Sequence, residues 1–313
     1  MAENAARGPV AAIDCGTNTI KLLIGELPDV AVREMRMVRL GQDLDRTGRI
    51  ADEALARAFA AIDEYAGLIA AHGVPPTRVR FCATSATRDA ANAEVFTAGV
   101  RERLGVEPEV VGGAEEAALS FAGAVRHLRT PPASPVLVVD IGGGSTELVL
   151  GPVRDGPVSD GPEAGHSMDI GSVRLHERHL RSDPPTAAEV RACVADIDAH
   201  LDACPVDVAA AATVVGVAGT VTTIAAGVLG LTAYDPEAID QAVLATDDVH
   251  AMVERLVSLP VARRLELPWM HPGRADVIDA GALIWSRVLR RAAVPEVTVS
   301  EADILDGIAW SIG

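Results

Sequence analysis

Two short segments carry the residue types that bind phosphate and divalent metal ions. They are VAAIDCGTNTIKLLIG, from Val10 to Gly25, and VLVVDIGGGSTELVLG, from Val136 to Gly151. In each segment an apolar run ends at an aspartate, a glycine-containing turn follows, and a second apolar run begins. When the segments are aligned without a gap, Asp14 falls on Asp140, Gly16 on Gly142 and Thr19 on Ser145. The sequence therefore contains an internal repeat built around a turn.

The two turns have the composition of anion sites. Glycines let successive backbone N–H groups converge on one anion, and hydroxyl and amide side chains add donors. The candidate phosphate-binding residues are Gly16, Thr17, Asn18 and Thr19 in the first turn and Gly142, Gly143, Gly144, Ser145 and Thr146 in the second. An aspartate beside phosphate needs a cation, so Asp14 and Asp140 are predicted partners of Mg²⁺. Tight turns without a ligand are the alternative, and the duplication disfavours it.

Other phosphate motifs do not fit these turns. A P-loop requires Gly-Lys-Ser/Thr running into a helix, and a dinucleotide fingerprint also requires a helix after its last glycine. Here strand-like residues follow, so both segments are predicted strand-turn-strand hairpins. A third segment, residues 217–220, ends an apolar run and opens a helix, and its Gly219 and Thr220 are predicted to face an anion.

The pattern of elements predicts an α/β fold in two related halves. The order is β-β-β-α-β-α, followed by a similar series. With the two hairpins and the Gly-Thr junction, this order resembles the actin, sugar-kinase and Hsp70 architecture. That resemblance implies two duplicated actin-like (ribonuclease H-like) domains with a ligand cleft between them. The run TPPASP, residues 130–135, predicts domains of residues 1–128 and 129–313.

The predicted elements have the following bounds. Strands are expected at residues 10–13, 20–26, 30–40, 79–83, 109–111, 136–139, 147–150, 214–217 and 297–299, and helices at 52–72, 90–104, 114–129, 184–203, 221–229, 247–256, 276–292 and 300–312. The last helix is expected to pack back toward the first domain. Ser300 is its predicted N-cap, with Asp303 as the matching acid.

Composition restricts the partners. The 313 residues are 49% hydrophobic but only 3% aromatic, which predicts a core of Ala, Val, Leu and Ile. A net charge of −17 argues against nucleic-acid and anionic-membrane binding. The four cysteines are far apart and indicate neither zinc nor a disulfide framework. No signal-peptide pattern opens the chain, and glycines interrupt the uncharged residues 208–234, so we expect a cytoplasmic protein.

Two further groups of residues were weighed as metal sites. Residues 176–179, HERH, place histidines at i and i+3 rather than the i and i+4 of zincins, so a solvated helix face is predicted. Asp276 and Asp279 are interpreted as acids at the start of a helix.

A set of motifs resembles one known family. ATSATRDA (83–90), GGAEEA (112–117), DIGGGSTEL (140–148), DIGSVRL (169–175) and VSEADILDGI (299–308), with IDCGTNT, resemble the exopolyphosphatase and guanosine pentaphosphate phosphohydrolase family. The resemblance runs from about residue 10 to residue 310. It implies hydrolysis of the terminal phosphoanhydride of inorganic polyphosphate or guanosine pentaphosphate, and a homodimer. Longer members carry extra helical C-terminal domains, so this chain resembles the short form.

The same resemblance implies roles for particular residues. Glu116 matches the general base, and a carboxylate that deprotonates water is what attack on a terminal phosphate requires. Its neighbour Glu115 either holds the site together or is a solvated acid. Arg88 matches a substrate-side arginine, and Arg174 a similar residue. The metal-associated acids, for Mg²⁺ or Mn²⁺, are Asp14, Asp140 and Glu147.

Three functions stay open on the sequence alone. They are hydrolysis of short polyphosphate, hydrolysis of guanosine pentaphosphate, and a kinase or non-catalytic nucleotide sensor on the same fold. No sugar-binding segment is recognisable, and Glu116 and the loop acids are all present, which disfavours the third. The motifs do not separate the first two. The short form favours short polyphosphate chains.

Overall fold

The computed structural model describes residues 8–153 and 163–312. These residues form two β-sheets with associated helices, which confirms the α/β prediction. By their contacts they divide into two compact units. The first comprises the described residues up to Glu115 together with those from Ile304 onward, and the second extends from Glu116 to Asp303.

The sheet of the first unit has five strands in the order β3-β2-β1-β4-β5. Its strands are β1 (Val10–Cys15), β2 (Thr19–Glu26), β3 (Asp29–Met37), β4 (Val79–Ala83) and β5 (Glu109–Val110). β1, β2 and β3 are joined antiparallel, whereas β4 lies parallel to β1 and β5 parallel to β4. The helices are α1 (Leu44–Thr47), α2 (Asp52–Ala71), α3 (Ser85–Asp89) and α4 (Ala93–Leu104), with a 3-10 turn at Pro76–Arg78.

The core of the first unit is made mainly of aliphatic side chains. Helix α2 buries Leu55, Ala58, Ile62 and Tyr65, spaced three or four residues apart as one helical face requires. The last helix of the chain, Ile304–Ser311, packs on β1 and β2. Polar contacts join this helix to the sheet, because Asp306 accepts from Arg33 and Ser311 Oγ lies 2.7 Å from Arg80 Nη1.

The sheet of the second unit has six strands in the order β10-β11-β9-β6-β7-β8. Its strands are β6 (Val136–Ile141), β7 (Thr146–Gly151), β8 (Ala164–Met168), β9 (Thr213–Val217), β10 (Val243–Ala245) and β11 (Glu296–Val299). The helices that follow α4 are α5 (Gly113–His127), α6 (Ser172–His179), α7 (Ala187–Ala203), α8 (Ala218–Val228), α9 (Pro236–Ile239), α10 (Thr246–Ser258), α11 (Val261–Arg264), α12 (Ile278–Ala292) and α13 (Ile304–Ser311), with a 3-10 turn at Val208–Ala210.

The two sheets repeat one topology. The order β3-β2-β1-β4-β5 matches β8-β7-β6-β9-β11. In the second sheet β6, β7 and β8 are joined antiparallel, whereas β9 lies parallel to β6 and β11 parallel to β9, as in the first sheet. The hairpin registers also coincide, because Val10 pairs with Gly25 and Val136 with Gly151. The duplication predicted from the two hairpins is therefore confirmed, and β10 is an addition to the second sheet.

Helix α5 explains where the contacts divide the chain. Its apolar side chains, among them Phe121 and Ala124, pack with Val136, Val138 and Val149 of β6 and β7. Most of α5 therefore belongs with the second sheet, and the division falls between Glu115 and Glu116 rather than at the proline-rich run that set the predicted boundary at residue 128. Helix α13 belongs to the first unit.

Some predicted helices differ from the structure. The helix predicted at residues 90–104 corresponds to α4, which begins only at Ala93. Just before it, the side chain of Asn92 bonds the backbone N and O of Ile50 at 2.8 and 3.0 Å. The cap prediction for Ser300 is wrong, because α13 begins only at Ile304. Ser300 Oγ instead donates to Ala302 O at 2.9 Å and closes a local turn. Strands β8 and β10 and helices α1, α3, α6, α9 and α11 were not predicted.

The HERH segment lies in α6 and is not a solvated face at its histidines. His176 Nδ1 lies 3.2 Å from Asp279 Oδ1, and His179 Nε2 lies 2.7 Å from Asp196 Oδ2. Asp279 is in the first turn of α12, as predicted, but it is buried and paired at 2.9 Å with the fully buried Arg264. None of the helices in the described part of the chain is long and apolar enough to span a membrane.

Candidate functional site

The two hairpin turns close with the same hydrogen bond. Gly16 N donates to Thr19 O at 2.9 Å, and Gly142 N donates to Ser145 O at 3.0 Å. In the first turn the carbonyl of Asn18 accepts from the backbone of Val38 and Arg39 at 3.0 and 2.9 Å. The carbonyl and N–H of a trans peptide point in opposite directions. Holding the carbonyl from one side therefore aims the next N–H at the other side, as an anion site needs.

The start of α6 holds the second turn in the same way. Gly142 O accepts from Ser172 N at 3.0 Å, and Gly143 O accepts from Val173 N and Arg174 N at 2.9 and 3.1 Å. Helix α6 thus fixes the peptide between Gly143 and Gly144. It also brings the backbone of Arg174, a predicted substrate-binding residue, against the second turn.

The predicted residues of the first unit lie at the end of β1, in the turn that follows it and in α3. Asp14 is buried and lies opposite Lys21 in the hairpin register, with Lys21 Nζ 3.5 Å from its Oδ2. Thr17 Oγ1 lies 2.9 Å from Ser85 Oγ, and both residues are buried. Arg88 of α3 is half-buried, and its Nη1 donates to Val111 O at 3.0 Å.

The predicted acids of the second unit form one buried group. Asp140 and Glu147 lie directly opposite each other on β6 and β7, and Glu116 of α5 is close enough for its charge to act on Glu147. All three side chains are buried. Burial, followed by the charges of Glu116 and Asp140, raises the pKa of Glu147 well above its ordinary value, while hydrogen bonds from Ser167 and Ser145 act against this rise.

Serine hydroxyls that the sequence analysis did not single out complete this group. Ser120 Oγ donates to Asp140 Oδ2 at 2.7 Å, and Ser167 Oγ donates to Glu147 Oε1 at 2.6 Å. Neither serine belongs to a recognisable motif. The one available signal was the helical spacing of four residues between Glu116 and Ser120, which puts both on one face of α5.

The hydroxyl of Thr146, a predicted phosphate donor, is hydrogen-bonded within the protein. It is fully buried at the start of β7, and its hydroxyl donates to Ile170 O at 2.7 Å. Successive strand residues face opposite sides of a sheet, so Thr146 and Glu147 cannot both face the carboxylate group. Because a hydroxyl has one proton, the Thr146 side chain cannot donate to a phosphate while it donates to Ile170 O.

Glu115, for which the sequence left two roles open, belongs to an ion-pair cluster. Its Oε1 lies 2.6 Å from Arg80 Nη2, and the same nitrogen lies 2.7 Å from Glu109 Oε2. Glu115 is half-exposed but joined through Arg80 to β4 and β5. In contrast to Glu116, its side chain is not buried.

The third turn lies at the start of α8, beside an arginine that the sequence analysis missed. A Cβ on Gly219 would lie 2.4 Å from Arg274 Cζ, so the guanidinium packs directly against this glycine. Arg274 Nη1 also donates to Thr223 Oγ1 at 3.2 Å. Thr220 is buried and packs against Gly281, where an added Cβ would lie 2.7 Å from Thr220 Oγ1. The predicted residues Gly219 and Thr220 therefore lie near a fixed cation.

The second-unit acids are suited to a divalent cation that takes only one or two carboxylate ligands from the protein. No group of three or more His, Cys, Asp or Glu side chains is arranged to hold a metal ion within residues 8–153 and 163–312. Mg²⁺, however, is commonly held by one or two carboxylates, with water and substrate phosphates in its other positions. Asp140 and Glu147, buried and repelling each other, are suited to such a partner.

The raised pKa of Glu147 leads to a prediction about stability. A carboxyl group whose pKa is higher in the folded state binds more protons when folded, so stability falls as pH rises through that folded pKa. Glu147→Gln removes this loss and keeps the partners Ser145 and Ser167. We expect the variant to be about 1–2 kcal/mol more stable than wild type at pH 8. The gain should shrink toward pH 5.

Urea unfolding with a chelator, at both pH values, measures this difference. The exposed residue Glu237 provides the control, because Glu237→Gln should stay within about 0.5 kcal/mol of wild type at either pH. A Glu147→Gln variant less stable than wild type at pH 8 would contradict the assignment of Glu147 as a strained buried acid.

Comparisons with known proteins agree with these features. The model of the Ppx/GppA phosphatase family matches residues 23–312. Exopolyphosphatase 2 of Mycobacterium tuberculosis is 47% identical, over 97% of this chain and 98% of that protein. A guanosine-5'-triphosphate,3'-diphosphate pyrophosphatase of Vibrio atlanticus is 26% identical, over 96% of this chain and 59% of that protein.

Solved structures give the same result. The crystal structure of an exopolyphosphatase-like protein matches with a TM-score of 0.91 and 44% identity, covering 97% of this chain and 98% of that one. A Ppx/GppA family member from Aquifex aeolicus matches with a TM-score of 0.79 and 29% identity, covering 97% of both chains. The duplicated hairpins, the buried acids and these matches lead to one conclusion: the chain belongs to the Ppx/GppA phosphatase family.

Proposed function

We propose that this phosphatase is an exopolyphosphatase that releases terminal orthophosphate from inorganic polyphosphate, with a preference for short chains. The observation that carries the proposal is the buried group of Glu116, Asp140 and Glu147 beside the second glycine turn. Such a group supplies a base for water and partners for a cation next to a phosphate site.

The proposed reaction is an in-line attack of water on the terminal phosphorus. Backbone N–H groups of the second glycine turn, with Arg174, bind the phosphates and stabilise negative charge. Glu116 orients the water and takes its proton as the new P–O bond forms and the anhydride bond breaks. The products are orthophosphate and a chain shorter by one unit. A bound Mg²⁺ or Mn²⁺, held by Asp140 and Glu147, would screen phosphate charge.

The preference for inorganic polyphosphate has two supports. The Mycobacterium tuberculosis relative, at 47% identity, is named an exopolyphosphatase. The net charge of −17 leaves positive charge only at local positions, which suits a short polyanion better than a long one lying along the surface. Action in the cytoplasm as a homodimer, which the family resemblance implied, belongs to the same proposal.

Guanosine pentaphosphate is the second candidate substrate. The Vibrio atlanticus relative is named for guanosine-5'-triphosphate,3'-diphosphate, which is guanosine pentaphosphate. The same base, turns and acids would release its terminal 5'-phosphate. A non-catalytic nucleotide sensor would retain binding without phosphate release.

Phosphate release by the purified protein with Mg²⁺ tests these alternatives. The substrates are tripolyphosphate, long-chain polyphosphate, guanosine pentaphosphate and ATP, and a mock purification from cells that do not express the protein measures contaminating activity. We expect the highest kcat/KM on tripolyphosphate. A higher value on guanosine pentaphosphate would transfer the function to the second candidate, and faster release from long chains would contradict the short-chain preference. Binding without release from any of them would support the sensor.

A further inference from the structure

The acids of the second unit lie in one row across the sheet. Asp140 of β6 pairs with Glu147 of β7, and Glu147 pairs with Ser167 of β8. Residues directly opposite on neighbouring strands share a face, with Cβ atoms about 5 Å apart. Two like charges so placed repel each other, and their side chains would rotate apart unless something fixes them.

Helix α5 covers the same face of the sheet. Its apolar residues Ala117 and Phe121 pack with Val138 and Val149, which lie on that face next to the acids. Toward the turn, the contact between helix and sheet becomes polar, where Glu116 and Ser120 meet Asp140 and Glu147. Ser120 follows Glu116 by four residues, so both side chains leave the helix on one side.

Ser120 is a polar residue at a fully buried position. Its exposed fraction is 0%. Burying a hydroxyl costs free energy unless it is hydrogen-bonded, and an alanine would pack equally well against the apolar neighbours. Serine inside a helix often donates back to the carbonyl four residues earlier. Here its hydroxyl crosses to the sheet and donates to Asp140 Oδ2 at 2.7 Å.

We propose that Ser120 and Ser167 are positioning residues that hold the two opposed carboxylates for a divalent cation. Ser120 binds Asp140 from the helix, and Ser167 binds Glu147 from β8 at 2.6 Å. Each serine fixes one oxygen and thereby the rotation of its carboxylate. Ser120 also ties the helix that carries Glu116 to the strand that carries Asp140. The role of the two serines in catalysis rests on the proposed function, whereas their effect on cation binding can be tested without it.

Alanine substitution of each serine tests the inference. Loss of a hydrogen bond to a metal-binding carboxylate typically costs 10- to 100-fold in metal affinity or activity. We therefore expect Ser120→Ala and Ser167→Ala each to weaken Mn²⁺ binding by about 10-fold, measured by electron paramagnetic resonance without substrate. The Mg²⁺ concentration that half-saturates phosphate release should rise in parallel, with KM for substrate at saturating Mg²⁺ nearly unchanged.

Ser286→Ala is the matched control. Ser286 is also a buried serine, and its Oγ lies 2.9 Å from His250 Nδ1 in the contact between α10 and α12. Its loss should leave Mn²⁺ affinity unchanged. Ser167 is only half-buried, so Ser167→Ala keeps the test decisive if Ser120→Ala folds poorly.

The outcomes separate this inference from the proposed function. Wild-type Mn²⁺ affinity in both serine variants, or no Mn²⁺ binding by the wild-type protein, overturns the inference even if phosphate release is observed. Weakened Mn²⁺ binding in the variants supports it even if the wild-type protein releases phosphate from none of the substrates, a result that would overturn only the proposed function.

Discussion

Glu116→Gln should lower kcat for phosphate release by about 10²- to 10⁴-fold, the range that general-base catalysis contributes. Glutamine keeps the length and shape of the side chain and can still hold a water molecule, but it cannot take the proton. KM should therefore change little. Because the substitution also removes a negative charge that acts on the buried Glu147, the variant should be as stable as wild type or more so.

Glu115→Gln is the control that the chain itself provides. The two glutamates are adjacent, but Glu115 is half-exposed and pairs with Arg80, whereas Glu116 is buried beside the other acids. An exposed ion pair contributes about 0–1 kcal/mol, so this variant should keep its activity within about fivefold.

Steady-state kinetics and thermal unfolding of both variants check the prediction. Comparable losses in the two proteins would mean that the start of α5, and not one carboxylate, limits the reaction. An active Glu116→Gln enzyme would remove Glu116 as the base. A loss of activity accompanied by a lower melting temperature would point to misfolding instead.

The repeat could be predicted from the sequence because its chemistry is local. An apolar run, an aspartate, a glycine turn and a second apolar run specify a hairpin, and equal loop lengths specify equal registers. The facing pairs Asp14 with Lys21 and Asp140 with Glu147 follow from that register. The sequence pattern therefore specifies that Asp140 and Glu147, the central acids of the second unit, face each other.

Other features depend on contacts that are distant in sequence. Ser85, Ser120 and Ser167 matter because of what they face, and an isolated serine carries no signal of that. The proline-rich run at 130–135 resembled a linker, but the apolar face of α5 pairs with β6 and β7 on its other side. Ser300 had the spacing of a capping residue, yet its hydroxyl was taken by the local turn to Ala302.

Gly171→Ala is expected to be the most damaging change outside the acidic group. The backbone of Gly171 is extended, with φ of −150°, so any residue could adopt it. The requirement is space. A Cβ at this position would lie 2.4 Å from Gly143 C, 2.5 Å from Gly143 O and 2.6 Å from Gly144 N. All three are backbone atoms of the second turn, so no side-chain rotation can relieve the overlap.

The turn and the start of α6 must therefore move apart in this variant. That movement strains the bonds from Val173 N and Arg174 N to Gly143 O, which aim the next N–H toward the proposed phosphate site. Displacing a binding group by about 1 Å can cost about 10²-fold in rate, so kcat/KM should fall at least that far. Forcing a methyl group into a packed site also costs about 1–3 kcal/mol of stability.

Gly67→Ala separates these effects from a general effect of adding a methyl group. Gly67 lies on the exposed side of α2, with no atom within 4 Å of an added Cβ. Alanine favours a helix by about 1 kcal/mol over glycine, so this variant should be fully active and slightly more stable. Kinetics well below the melting temperature of Gly171→Ala, with circular dichroism to confirm folding, give the comparison. A folded Gly171→Ala enzyme with wild-type kcat/KM would show that the second turn does not need its observed shape to bind phosphate. Gly142, Gly143 and Gly144 would then have only a structural role in the turn.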